Sequence, residues 1–228
     1  LVADHGNTYE EICSAGFKID AKVDMLLASD CQSAVGQSIG LGVIGLTNSL
    51  ARLKPDIVVL LGDRFEALAA AQSAMVLNIP IAHIHGGEAT EGLIDEAIRH
   101  SITKMAHVHF TSAEPFRRKV IQMGEQPSTV HNVGALGLDN VAALEPVSRE
   151  LIENFICFTL DAPILLVTYH PLTLDAKGAT SANSLLEALA EQKDTRIVFT
   201  GANADALGQA INDRVKMFCT SRPKHAVH

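Results

Sequence analysis

Between about Val58 and Val133, short apolar runs alternate with longer segments that are apolar at helical spacing. The pattern predicts a strand ending at Leu61, a helix over Glu66 to Leu77 and a strand at Ile81 to Ile84. It continues with a helix from about Gly92 to Met105, a strand at Val108 to Thr111, a helix over Pro115 to Met123 and a strand at Val130 to Val133. Such a βαβ series, with connections of ordinary length, predicts a doubly wound parallel sheet with right-handed crossovers. Upstream, Gln37 to Leu53 is apolar at helical spacing and is expected to pack on the same sheet. The periodicity lapses after Gly134, through Asn140 to Pro146. A second βαβ pattern then starts, with strands at Ile164 to Thr168 and Arg196 to Thr200 and helices at Ser184 to Glu191 and Ala204 to Phe218. The expected class is α/β, with one Rossmann-like domain over residues 1–145 and a second, incomplete one over residues 146–228.

Composition narrows the partner. With 228 residues, 47% of them hydrophobic, the chain can bury one large core or two modest ones. The formal charge of −8 and the lack of any Lys/Arg block argue against a nucleic-acid or anionic-membrane surface, leaving a small molecule as the expected partner. Cys13, Cys31, Cys157 and Cys219 form no CxxC pair, which suits free thiols in a reducing cytosol. No leader pattern and no apolar run of membrane-spanning length is present, although a leader ahead of Leu1 is not tested by this sequence.

Three clusters concentrate the chemistry. Leu61-Gly-Asp-Arg-Phe-Glu66 and His83-Ile-His-Gly-Gly-Glu88 each close an apolar run, and Asp95-Glu-Ala-Ile-Arg-His100 lies in a helical pattern. Carboxylates, imidazoles and an arginine are therefore expected beyond the carboxyl ends of neighbouring parallel strands, the edge at which open α/β sheets bind ligands. Spacing alone leaves each role open. Asp63 can be a helix N-cap, with Arg64 on the surface, or an acid/base group. His83 and His85 share a strand face, so they can form a metal pair, a hydrogen-bonded structural pair or a proton-transfer site, with Glu88 adjacent. Gly86 and Gly87 permit a sharp turn and close approach of a ligand. Asp95 and Arg99, four apart, can be a solvent-exposed ion pair. His170, before a proline, can be structural; Asn203 and Asp205 read as helix caps, and His107 and His109 as structural. No G-x-G-x-x-G, P-loop, H-E-x-x-H or G-x-S-x-G occurs, so nicotinamide, ATP, zincin and serine-hydrolase readings lose their usual support.

These clusters, with Gly6-Asn-Thr-Tyr9, Ser101-Ile-Thr-Lys104, Gly134-Ala-Leu-Gly-Leu-Asp139, Thr168-Tyr-His-Pro171 and Asn203-Ala-Asp205, resemble in order and spacing the hydrolysing UDP-N-acetylglucosamine 2-epimerases, the sialic-acid branch in particular. The resemblance implies a glycosyltransferase-B architecture. It also implies conversion of UDP-N-acetylglucosamine to N-acetylmannosamine and UDP through a glycal, without cofactor or catalytic metal, in a cytoplasmic homo-oligomer (dimer or tetramer). On this reading Asp63 and Asp95 are the acid/base pair, His85 or Glu88 a third group, and His170 an assistant facing the cleft from the opposite domain. Arg64, Gly86, Gly87, Arg99 and His100 then support the site or contact substrate. Two rival substrates or chemistries remain: a UDP- or GDP-linked bacillosamine-type sugar, and a metal-dependent hydrolysis at His83 and His85. Many family members have glutamate where this chain has His85, so that glutamate's role does not carry over unchanged. The family's first strand is expected ahead of Leu1 and its Gly/Ser-rich nucleotide-binding turn is not found before His228.

Overall fold

A computed structural model describes residues 9–27, 29, 31–170, 178–202 and 208–228, without the side chains of residues 178–181. The chain divides into two compact units, Leu1–Ala143 and Leu144–His228.

The first unit begins with α1 (Tyr9–Ser14) and α2 (Gln32–Leu53). It continues through β1 (Val58–Leu61), α3 (Phe65–Val76), β2 (Ile81–Ile84), α4 (Ile94–Met105), β3 (Val108–Thr111), α5 (Glu114–Gln122) and β4 (Val130–Asn132), and ends with α6 (Gly137–Ala143). The four strands form one parallel sheet in the order β1-β2-β3-β4. Local chemistry sets the element ends. α2 stops at Lys54, which takes the left-handed conformation at φ 49° just ahead of Pro55. α5 has a proline in its first turn, where no intrahelical N–H is needed, and it ends ahead of Gly124 at φ 100°.

The core of this unit lies between the sheet and its crossover helices. Ala69, Ala71 and Ala74 of α3, Ile81 of β2 and Ile102 of α4 are fully buried, and they pack with Leu60, Phe65 and Ile98. Alanines along α3 let it sit close to its neighbours, and its principal helical neighbour is α2. The expectation that α2 packs on the sheet is thus modified: its apolar stripe, with Val35, Ile39, Val43, Leu46 and Leu50, joins the same core chiefly by way of α3.

The second unit contains α7 (Arg149–Ile156), β5 (Ile164–Val167), α8 (Gly178–Ala190), β6 (Arg196–Phe199), α9 (Gly208–Ser221) and β7 (Ala226–Val227). Its parallel sheet has the order β5-β6-β7. Ser148 caps α7 by accepting the Leu151 amide at 3.3 Å. Ile197, Phe199, Ile211, Val215 and Phe218 form the core. Two elements escape the sequence periodicity: α7, which follows the lapse after Gly134, and β7, whose two residues are too few to show alternation. The α/β class with parallel sheets in both units is the one expected.

Candidate active site

Register brings the carboxyl ends of β1, β2 and β3 to one edge. Leu61 pairs with Ile84 and Ile84 with Phe110, so the residues that follow these strands are neighbours. The Gly62 amide donates to the Ile84 carbonyl at 3.0 Å and the His85 amide to the Phe110 carbonyl at 2.8 Å, which carries the ladder one residue past each strand.

His83, still inside β2, is fully buried. Its Nε2 lies 2.7 Å from the Gly62 carbonyl, which can only accept, so Nε2 carries the proton; Nδ1 then accepts from the Thr103 hydroxyl at 3.1 Å. Burial pushes its pKa down to about 4, and the ring is neutral. Both nitrogens are committed to protein partners.

His85 takes a different course. At φ 65° it adopts the left-handed conformation, uncommon for a residue with a Cβ, and the strand's alternation ends there. Its Nδ1 meets Glu88 Oε1 at 2.6 Å. The two histidines therefore do not aim at one point, and no group of three or more His, Cys, Asp or Glu able to hold a metal occurs among the described residues.

Gly86 and Gly87 are buried. A Cβ on Gly86 would come within 3.0 Å of Thr103 Oγ1 and 3.2 Å of His83 Nδ1. One on Gly87, at φ 82°, would lie 2.5 Å from the Phe116 carbonyl of α5. On the Cβ side of each glycine the space is taken by protein, and the pair seats the turn on α4 and α5. Gly87→Ala combines left-handed strain with overpacking and is expected to destabilise the protein by about 2–4 kcal/mol. A fall in the denaturant midpoint at constant slope would show it, and an unchanged midpoint would refute it.

Arg99 organises what lies above this turn. Reaching back from α4, it is only 4% exposed, so the reading as a solvent-exposed surface pair is corrected. Its Nη1 donates to the Glu88 carbonyl at 2.8 Å, and its Nη2 to the Thr90 hydroxyl at 2.8 Å and to Asp63 Oδ2. Asp63 does not cap α3, whose N-cap is Arg64 without a side-chain cap bond. Arg64 itself reaches Glu66 at 3.4 Å and lies over the Phe65 ring.

Glu88 is the other anchored carboxylate. Burial pushes its pKa up, but hydrogen bonds from Ser112 and His85, with the nearby charge of Arg99, outweigh burial and hold it below its usual value. Asp95 is half-buried in the first turn of α4, where a carboxylate is favoured by the helix dipole. His100 lies one turn beyond Glu96, with Nε2 at 3.5 Å from its Oε1, and burial lowers its pKa. Arg99 thus links Asp63 to the Glu88 backbone, and the Glu88 side chain in turn holds His85.

His170 is exposed, three residues past β5 in the second unit. Gly6-Asn-Thr8, Pro171, Asn203 and Asp205 lie outside the described residues. Sequence reading missed Thr90, Thr103 and Ser112. Ser112 was accessible to the strand-end rule already applied to β1 and β2, since it directly follows β3.

Comparison with known proteins supplies the family. A GDP/UDP-N,N'-diacetylbacillosamine 2-epimerase (hydrolyzing) of Campylobacter jejuni is 38% identical over 220 residues, covering 96% of this chain and 57% of its own length. A UDP-N,N'-diacetylbacillosamine 2-epimerase (hydrolyzing) of Legionella pneumophila is 34% identical, with coverage of 96% and 58%. The chain thus spans 57–58% of the length of these relatives. The crystal structure of UDP-GlcNAc 2-epimerase from Neisseria meningitidis bound to UDP-GlcNAc matches at TM-score 0.79 and 19% identity, over 98% of this chain and 62% of that one. That likeness places the fold among the glycosyltransferase-B type α/β proteins, as expected. Residues 2–225 match the profile of the family described as UDP-N-acetylglucosamine 2-epimerase, and with the strand-end clusters and the two relatives this shows that the chain belongs to that family.

Proposed function

We propose that the protein containing this chain is a hydrolysing 2-epimerase of a nucleotide-linked 2-acetamido sugar. A UDP- or GDP-linked N,N'-diacetylbacillosamine is preferred as substrate over UDP-N-acetylglucosamine, because the relatives at 38% and 34% identity carry the former name. The observation that carries the reading is a connected set at the carboxyl edge of the sheet, in which the buried guanidinium of Arg99 binds Asp63 and the Glu88 backbone carbonyl while the Glu88 carboxylate holds His85.

The reaction needs a base to take the C2 proton while the C1–O bond to the nucleoside diphosphate breaks, the C–H electron pair becoming the C1–C2 double bond of a glycal. Water then adds hydroxyl at C1, and a proton returns to C2 on the opposite face. Two proton-transfer groups with different environments suit such a sequence. Asp63, fixed by Arg99, and Asp95, in the first turn of α4, are assigned as the core pair, and His85 as the third group, with Glu88 holding its imidazole. The metal-hydrolase alternative is disfavoured by the protein partners on both nitrogens of His83.

Full-length protein incubated in D2O with UDP-N,N'-diacetylbacillosamine and, separately, UDP-N-acetylglucosamine is expected to release UDP and a 2-epimerised sugar carrying deuterium at C2. The bacillosamine substrate is expected to be the faster. Released sugar without deuterium would overturn the elimination route, and faster turnover of UDP-N-acetylglucosamine would overturn the substrate assignment.

A further inference from the structure

Ser112 directly follows β3, one residue ahead of the N-cap of α5. A serine one position later would ordinarily cap the helix. Here the N-cap is Ala113, which makes no side-chain cap bond, and the Ser112 hydroxyl donates instead to Glu88 Oε1 at 2.5 Å. The same oxygen faces His85 Nδ1 at 2.6 Å.

The backbone of Glu88 is already held. Its carbonyl accepts from Arg99 at 2.8 Å, and Gly87 before it is pressed against the Phe116 carbonyl of α5. What remains to be fixed is the carboxylate, and Ser112 reaches it from a different strand. A carboxylate oxygen that receives a hydroxyl proton acts on its other neighbour as an acceptor, so His85 donates through Nδ1. Its Nε2 is then the nitrogen left with the lone pair, the form a base requires.

We propose that Ser112 is a positioning residue for proton transfer: its hydroxyl keeps the Glu88 carboxylate aimed at His85 Nδ1, which fixes the imidazole with Nε2 as the proton acceptor. The proposal rests on the epimerase reading for its kinetic consequence, while its structural content stands on the contacts themselves. The charged or titratable groups facing Glu88 are His85, from the same turn, and Arg99, from α4. Arg99 also holds Asp63, so the hydroxyl acts within one connected set of site groups.

The test compares Ser112→Ala, Ser112→Thr and, as a control, Ser101→Ala, whose serine on α4 is exposed and donates within its own helix to the Ala97 carbonyl. Carboxyl carbon NMR of Glu88 in the full-length protein is expected to show a titration midpoint about one pH unit higher in Ser112→Ala, the size of one hydrogen bond to a charged acceptor. Ser112→Thr, which keeps the hydroxyl, is expected to restore it. In steady-state turnover kcat is expected to fall about tenfold in Ser112→Ala with KM nearly constant, because the lost contact orients the reacting group without binding substrate. Ser101→Ala is expected to match the parent in both measurements. An unmoved Glu88 midpoint, or a raised KM at unchanged kcat, would overturn the positioning role. Should the parent protein turn over no nucleotide-linked acetamido sugar, the epimerase reading fails, and the Glu88 midpoint still decides the assignment of Ser112.

Discussion

Asp63→Asn is expected to lower the turnover of the full-length protein by about 10²–10⁴-fold, the range for removal of a positioned general acid or base. A carboxamide cannot take up the proton, yet its oxygen can still accept from Arg99, so the loss should fall on kcat more than on substrate affinity. Some stability is lost as well. The neutral side chain would leave the nearly buried guanidinium without its anionic partner, at a cost of about 1–2 kcal/mol while the hydrogen bond survives. The observed pairing with Arg99 is the source of that loss. Asp95→Asn is expected to fall in turnover by a similar factor. Near-normal kcat in both variants would remove the two carboxylates from the mechanism.

Arg99→Met is expected to be the most destabilising single change at the site. It removes the donor to Asp63, the Glu88 carbonyl and the Thr90 hydroxyl together. Breaking a buried ion pair from one side costs about 3–5 kcal/mol, because the partner charge stays behind uncompensated. Arg99→Lys keeps the charge but not the planar fork that serves three acceptors, and should recover only part of the loss. Equilibrium denaturation measures both. A midpoint for Arg99→Met within experimental error of the parent would show that the guanidinium is not the organising group, and the placement of Asp63 beside the Glu88 turn would then need another cause.

Much of the fold was legible in the residues. β1, β2 and β3 end where the apolar runs do, and α3 to α5 begin or end within about two residues of the predicted positions, a normal margin for helix ends. In the second unit the same local pattern left α7 and β7 unread. In the first case the periodic stretch was short, and in the second a two-residue strand exists only because β6 offers it a ladder.

The candidate site was legible as a set of residues and not as a set of bonds. Strand-end position singled out Asp63, His85 and Glu88, since a parallel sheet with βαβ crossovers delivers such residues to one edge whatever their side chains do. Their roles required the tertiary structure. Period-two alternation gave His83 and His85 a shared face, but the left-handed backbone at His85 breaks the alternation, so one ring is buried against Gly62 and Thr103 while the other turns to Glu88. Arg99 has a carboxylate four residues before it in the sequence, and the alternative of an exposed pair gives way because α4 packs with that side inward and brings Arg99 to Asp63. The sequence by itself determined the order of elements and the edge where the chemistry gathers, because periodicity and chain connectivity are local or topological. Only the tertiary structure decided which histidine has both ring nitrogens bonded to protein partners, which carboxylate the arginine holds and which one Ser112 meets, because these depend on contacts between segments that the pattern of neither one encodes.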